Sequence, residues 1–515
     1  MRYNRPMNLA AFADQNLATF GEYERLVFEG ERVTNRQLHE RSCRLANGLR
    51  AAGIGAGDKV VVLMMNSPDV LVSYPAIWRA GGVVIPVLFL LETEEVRYVL
   101  AHSGARAVIT SPKLRDKVAR AAEGTRVEHI IVTGDPAAVA GGALAFETLV
   151  ADNDPDCPVA ERAPSDVAVI LYTSGTTGKP KGVMQTHHNL VAACQNSYES
   201  SGRKTRDQTS LLVLPLAHSF GLAVLVGGYL FGGKAVLMRW FEPEQALRLI
   251  QEHGVQAMAG VPTMFVYMLH HPNAGAYDTS TMERWLVGGA PMPSQQLAQF
   301  EQRFGGVMYV GYGLTEASPG IATEREGMPR KPGSCGVVME GVEVKIVDDT
   351  GAEVPRGELG EVCARGENIS PGYHEMPDAT SETFRDGWLY TGDVGKLDDD
   401  GYLFIVERKK DLIIRGGFNV YPKDVEDVLH RHAAVQECAV VGVPNDELGE
   451  QVCAFVVAAP GAEVTPAALI AHCQEHLAKY KSPRHVWIVP ALPKTNIGKI
   501  QKKQLRHLAA ERVGT

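Results

Sequence analysis

The sequence predicts an α/β protein: a large N-terminal domain of two α/β layers with a β-barrel-like subdomain, then a small mobile α+β C-terminal domain. Three observations predict it. Continuous apolar runs alternate with segments of helical period over most of the first 330 residues or so. After that point the segments turn short and β-rich, separated by Gly, Pro and Asp. A further change of texture follows the charged run Glu407-Arg408-Lys409-Lys410-Asp411. The division expected is an N-terminal domain over 1–408, its β-rich part at 331–408, and a C-terminal cap over 409–515.

The elements follow in order. Residues 37–52 (QLHERSCRLANGLRAA) carry apolar side chains at helical spacing and stop at Gly53. Residues 59–65 (KVVVLMM) form an unbroken apolar run, as in a strand buried on both faces. Helix over 69–79 and strands over 83–88, 107–110 and 129–132 continue the pattern. The alternation resumes with a strand at 167–171, a helix at 189–197, a strand at 210–214, a glycine-rich apolar helix, a strand at 234–238, a helix at 243–253 and a strand at 257–259. The β-rich part has strands at 342–347, 360–364 and 402–405. The C-terminal part reads helix 422–430, strands 438–443 and 451–457, helix 465–476 and strand 486–489.

Composition narrows the class. The chain has 515 residues, 45% hydrophobic and 22% charged, which suits a large buried core and argues against disorder. The net charge of −9 argues against a general nucleic-acid binder. Eight dispersed cysteines form no CxxC, so no zinc ribbon or dithiol redox motif is expected, and reduced thiols fit a cytoplasmic protein. Residues 211–233 lack Asp, Glu, Lys and Arg, but Pro215, His218, Ser219 and several glycines interrupt them. Strand, loop and core helix is the reading, not a membrane span. Between Lys494 and Arg512 basic residues dominate, which reads as a solvated helix.

One segment carries chemistry on its own terms. Tyr172-Thr173-Ser174-Gly175-Thr176-Thr177-Gly178-Lys179-Pro180-Lys181-Gly182 follows a buried strand. Glycines free backbone N–H groups to face an anion, hydroxyls add donors and lysines add charge. It is a phosphate cradle. It is not the P-loop of ATPases, because Gly175 and Gly178 are too close and Pro180 follows Lys179.

YTSGTTGKPKGV resembles the signature of the adenylate-forming superfamily: acyl-CoA and aryl-CoA synthetases, adenylation domains of peptide synthetases, and beetle luciferases. The rest of that family's set follows in order. Leu214-Pro215-Leu216-Ala217-His218-Ser219-Phe220-Gly221-Leu222 resembles its histidine motif. Val287-Gly288-Gly289-Ala290-Pro291 and Gly311-Tyr312-Gly313-Leu314-Thr315-Glu316 resemble its adenine and metal segments. Tyr390-Thr391-Gly392-Asp393, the 407–411 run, Arg415-Gly416-Gly417-Phe418-Asn419-Val420-Tyr421-Pro422 and Leu492-Pro493-Lys494-Thr495-Asn496-Ile497-Gly498-Lys499-Ile500 complete it.

The resemblance implies roles. Lys499, His218, Thr315 and Glu316 are the catalytic candidates, Lys499 swinging in from the cap to bridge carboxylate and phosphate oxygens. ATP and AMP would be held by Thr173, Ser174, Gly175, Thr176, Thr177, Gly178, Lys179, Gly289, Ala290, Pro291, Gly311, Tyr312, Gly313, Thr315, Asp393, Arg408 and Lys499. Tyr312 would stack on adenine and Asp393 accept from the ribose hydroxyls. Glu316 and Thr173 would serve Mg²⁺. Lys410 is the hinge position, and Gly416, Gly417 and Phe418 would line the CoA tunnel. Ile414 and Asn419 stand where some plant aryl-CoA ligases carry lysine and glutamine.

The acyl pocket implied is His218, Phe220, Met258, Gly260, Val261, Gly288 and Gly311. Its neighbourhood is small or apolar (Ala223, Gly227, Gly228, Ala259, Ala317, Gly320), with no Arg, Lys or Asp in those segments to hold a second carboxylate or an amino group. A medium- or long-chain fatty acid is therefore the first reading. An aryl acid of cinnamate or benzoate type is the second, and loading of a phosphopantetheinyl carrier protein the third. A luciferase-like oxygenase has no feature selecting it, and a nucleotide-binding module without catalysis would need Lys499 and Glu316 to be dispensable. The partners expected are a small carboxylic acid, ATP and CoA. No nucleic acid and no transmembrane segment are expected, and a carrier protein and a homodimer are compatible with the reading.

Overall fold

Valine-rich runs with little polar interruption build a first sheet that is covered on both faces. The structure, a computed structural model, describes residues 8–139, 142–173, 179–201, 208–445, 447–495 and 500–513. The first sheet orders its strands Gly372–Tyr373, Lys181–Thr186, Val167–Thr173, Val83–Val87, Lys59–Leu63, Ala107–Thr110, His129–Val132 and Leu144–Ala145. The six from Val167–Thr173 onward run parallel, and the first two are antiparallel additions.

A second sheet orders Val337–Val338, Gly320–Thr323, Val307–Gly313, Arg284–Val287, Ala257–Gly260, Thr209–Leu212, Lys234–Leu237, Glu24–Phe28 and Glu31–Thr34. Residues 8–34, to which the sequence reading assigns no element, hold the helix Ala11–Phe20 and the hairpin Glu24–Phe28/Glu31–Thr34. That hairpin lies in the second sheet, with Leu26 opposite Ala235 and Phe28 opposite Leu237, so the N-terminus is woven into the later layer.

Helices fill the space between the sheets. Asn35–Ala51 starts at a capping box of Thr34 and Gln37, and Pro68–Ala80 starts on a proline and ends at left-handed Gly81. These two pack with His187–Ser201 and Ser219–Phe231 around Trp78, Tyr74, Leu45, Leu49, Leu190 and Leu222. Fully buried Trp78 satisfies its indole N–H on the carbonyl of Ala168, 3.0 Å away. The charge-free stretch 211–233 resolves into the end of a strand, a loop and the helix Ser219–Phe231. Among the described residues no helix is long and apolar enough to cross a membrane.

The β-rich part is an antiparallel sheet ordered Val342–Val347, Gly360–Gly366, Trp388–Leu397 and Phe384–Arg385, with Leu403–Arg408 also paired to Trp388–Leu397. The chain leaves it after Arg408, makes a short 3₁₀ turn over Lys409–Asp411, and enters a different sheet at Ile413–Arg415. That last sheet orders Phe418–Val420, Ile413–Arg415, Gly449–Ala458 and Val435–Asn445, with His485–Ile488 parallel to Gly449–Ala458.

The terminal helix Lys502–Val513 corrects one expectation. It is not simply solvated: Leu505 and Ala509 are buried, and Lys502 sits between Glu407 Oε2 at 3.2 Å and Glu426 Oε1 at 3.1 Å. A basic count cannot reveal this, because the partners come from other elements.

A buried histidine links the N-terminal segment to the core. His187 is 1% exposed and its Nδ1 accepts the backbone N–H of Leu9 at 3.1 Å. Burial, with Arg162 adding to it, pushes its pKa from the usual 6.5 down to about 4. The native state thus holds it neutral while the unfolded chain takes a proton below pH 6.5. The resulting stability is complete above that pH and is lost as pH falls toward 4, by about 3 kcal/mol at most. His187→Gln is expected to be less stable than the parent at pH 7.5, with the gap closing by pH 5 in thermal denaturation. A gap independent of pH would contradict the assignment.

Candidate active site

The two α/β layers, the β-rich sheet and the C-terminal domain meet at one cleft of about 2120 Å³. Its position follows from the topology, since strands of the second sheet end there and turn into glycine-rich loops. Trp285 and Phe300 pack the base of these strands.

At one end lies a polar cluster. Asp393, 3% exposed, receives the Tyr312 hydroxyl on Oδ2 at 2.5 Å and the Arg408 guanidinium on Oδ1 at 2.7 Å. The Thr391 hydroxyl accepts its backbone N–H at 3.1 Å. Burial, then the Asp393 charge, drives the Tyr312 phenol well above its usual value, so it is a fixed donor. The sequence reading gave Tyr312 a stacking role and Asp393 and Arg408 ribose roles. The structure also ties the three together.

Thr315 and Glu316 follow on a 3₁₀ turn after Val307–Gly313. A Cβ on Gly313 would come within 1.7 Å of the Pro319 carbonyl oxygen, so only glycine permits this turn. Glu316 Oε1 accepts the Tyr373 hydroxyl at 2.8 Å, and the Thr315 carbonyl accepts the Gln185 side-chain N–H at 2.9 Å. Both Thr315 and Glu316 face the cleft, as does Thr173.

The loop expected to cradle phosphate joins two antiparallel strands, with Thr173 opposite Lys181 and Tyr172 opposite Gly182. Ser174, Gly175, Thr176, Thr177 and Gly178 lie outside the described residues. Lys179 is exposed and off the cleft wall, whereas Lys181 is on it, its ammonium 4.8 Å from the centre of the Tyr373 ring.

His218 is the N-cap of Ser219–Phe231, its Nδ1 accepting the Phe220 N–H at 3.3 Å, and this bond orients a ring on the cleft wall. Phe220, Met258, Gly288, Gly289, Ala290, Pro291 and Gly311 also reach the wall; Gly260 and Val261 do not. A Cβ on Gly288 would sit 3.3 Å from the Gly311 carbonyl and 3.4 Å from the Phe220 ring, so these three close on one spot.

Across the cleft, Lys410 lines the wall, and burial pulls its ammonium pKa below the usual value. Thr495 and Ile500 line it too, while Asn496, Ile497, Gly498 and Lys499 lie outside the described residues. Gly416, Gly417 and Phe418 do not. They form a hairpin turn with positive φ at both glycines, and Phe418 is 59% exposed against Tyr480. Among the described residues no cluster of three or more His, Cys, Asp or Glu is placed to hold a metal.

Residues 13–374 match the family model of the AMP-binding enzymes, and 424–499 match the model of the AMP-binding enzyme C-terminal domain. The chain belongs to the adenylate-forming family. This adenylate-forming enzyme is 38% identical to a feruloyl-CoA synthase of an Amycolatopsis species, over 93% of this chain and 94% of that protein. It is 33% identical to a long-chain-fatty-acid–CoA ligase of Bacillus subtilis, over 96% and 94%. Its fold overlays the structure of ATP-bound MatB from Rhodopseudomonas palustris with a TM-score of 0.91 at 32% identity, covering 98% of this chain and 99% of that one.

Sequence reasoning missed several residues of the adenylate-forming enzyme's cleft. Tyr373 orients Glu316 from a two-residue strand at the sheet edge. Lys502 bridges Glu407, on the strand Leu403–Arg408, to Glu426 on the helix Pro422–Leu429. Arg506 pairs with Asp411, and Lys423 Nζ donates to the Ile405 carbonyl at 2.8 Å. Burial opposes the charge on Lys502, and Glu426, Glu407 and Asp411 together hold it charged. The polar run at 407–411 signals the place but not the partners. Arg25, outside every motif, also reaches the cleft wall.

Proposed function

We propose that this enzyme adenylates a medium- or long-chain fatty acid with ATP and then passes the acyl group to CoA, releasing AMP and acyl-CoA. The observation that carries the reading is the continuity of the cleft. From the Asp393–Arg408 end it passes Glu316 and His218 into a gallery between the helices His187–Ser201 and Ser219–Phe231 and the second sheet. There Leu212, Phe220, Ala223, Val224 and Met258 present apolar surface.

In this reading each residue has a role. Asp393 and Arg408 hold the ribose, and the 288–291 and 311–313 segments bring bare backbone to the base. His218, its ring set by the Phe220 N–H, stands beside the carboxylate. Lys499 neutralises charge gathering between carboxylate and α-phosphate oxygens. Glu316 on the cleft, steadied by Tyr373 and, among the described residues, not part of a cluster of metal ligands, suits Mg²⁺ carried in on the nucleotide rather than a resident ion. When bound it offsets triphosphate charge. Rotation about Lys410 would bring the Gly416–Gly417–Phe418 turn to the cleft as a path for the pantetheine arm.

The higher identity to a feruloyl-CoA synthase favours a second reading, an aryl acid of hydroxycinnamate type. The test is acid-dependent AMP release with ATP, Mg²⁺ and CoA over acids from acetate to palmitate plus benzoate, cinnamate, ferulate and malonate, with thioester identified by mass. Thioester peaking on the fatty acids is expected. Thioester on aryl acids alone would replace the substrate class, and pyrophosphate without thioester would point to a carrier-protein acceptor.

A further inference from the structure

We infer that the far end of the acyl gallery is a second polar recognition point, built on Arg25, for an oxygen at the end of the acid remote from its reacting carboxylate. The inference rests on the gallery being the acyl site, as proposed above.

Arg25 is 6% exposed and lines the cavity from the strand Glu24–Phe28. Its Nη1 donates to the Gly233 carbonyl at 2.5 Å. Among the described residues no carboxylate pairs with it. The cation on the adjoining strand is accounted for: Lys234 pairs with Glu24. A guanidinium removed from water without an anion is costly, so one kept at a cavity wall is most stable when a ligand supplies the acceptor.

The helix beside it is shaped for the guanidinium. A Cβ at Gly228 would lie 1.8 Å from Arg25 Nη2, so any larger residue would expel the group. One position earlier, a Cβ at Gly227 would meet nothing within 4 Å, so the gallery has room beside the cation. Phe220 and Gly228 are eight helical residues apart, which spans about 12 Å. The stretch between is apolar, with Ala223 and Val224 on the wall. An apolar corridor closed by a cation fits an acid with a hydrocarbon middle and a hydroxyl or carboxylate at its far end.

The geometry also explains how a sequence reading excludes a second anion. The segments that line family pockets hold no basic residue, and the guanidinium enters from the N-terminal hairpin through its pairing with Lys234–Leu237.

The test compares octanoate, decanoate and dodecanoate with their ω-hydroxy and ω-carboxy counterparts, reading kcat/KM for thioester formation and, independently, binding by calorimetry. The parent is expected to favour an oxygenated acid over its plain counterpart by about ten- to a hundredfold, the range of a charged hydrogen bond. The hydroxyl and carboxylate arms tell which oxygen is preferred. Arg25→Leu is expected to bring that ratio close to one, and Arg25→Lys to retain part of it. Equal kcat/KM for plain and oxygenated acids in the parent would overturn the inference and leave the ligase reading standing. So would a ratio that Arg25→Leu leaves unchanged because both acids suffer alike. Tighter binding of oxygenated acids with no thioester from any acid would keep the inference and sink the ligase reading. Should Arg25→Leu fail to fold, the parent's own ratio and Arg25→Lys still decide.

Discussion

Lys499→Ala is expected to slow acid-dependent pyrophosphate release about a hundred- to a thousandfold, the effect of losing one donor aimed at developing charge. Lys494 and Ile500, on either side of the motif's last residues, are bridge partners. The flanks Thr495 and Ile500 both face the cleft. Lys494 is held to the cap through Glu437 at 2.8 Å and leans on Tyr267 of the large domain at 3.4 Å. The substitution is expected to spare the second half-reaction, measured by supplying preformed acyl-adenylate and CoA. That split separates it from a general loss of structure. Unaltered pyrophosphate release in the variant would remove Lys499 from the mechanism.

The second large effect is expected at Asp393. Asp393→Ala leaves the Tyr312 hydroxyl and the Arg408 guanidinium without their shared acceptor. Breaking a fully buried pair costs about 3–5 kcal/mol, and the cost here is set lower, about 2–3 kcal/mol, because Arg408 keeps 44% of its side chain in solvent. Both stability and nucleotide affinity should fall, seen in thermal denaturation and in ATP titration. The conservative Asp393→Asn keeps the shape and one acceptor, so it should fold nearly as well while still binding ATP poorly. If Asp393→Asn bound ATP as tightly as the parent, the carboxylate would be a structural strut and not a ribose ligand.

The sequence carried the large features because they are local. A valine run such as 59–63 and a helix such as 243–253 announce themselves by period, and the structure holds both as Lys59–Leu63 and Pro243–His253. The glycine-rich segments were equally legible, since a side chain at Gly313 would collide with backbone and one at Gly288 would crowd the Gly311 carbonyl and the Phe220 ring. What was not legible depends on distant pairings. The strand Glu24–Phe28 joins a partner more than two hundred residues away, and Arg25 is carried to the cleft by that pairing alone. Tyr373, Lys502 and Arg506 act through Glu316, Glu407 and Asp411 across sheet and domain boundaries. None of these contacts leaves a period or a motif. The burial of the terminal helix was misjudged for the same reason.

Cys194 stands on the gallery wall, its Sγ 3.5 Å from the Ala223 carbonyl, and burial pushes its pKa up to about 12. An acyl-adenylate is an electrophile that any nearby thiolate would intercept. At pH 7 the thiol stays protonated, so it is nearly inert as a nucleophile. The same holds for Cys335 on the cleft wall, where burial lifts the pKa to about 11. The enzyme thereby avoids acylating itself, and the mixed anhydride is kept for the thiol that arrives from solution.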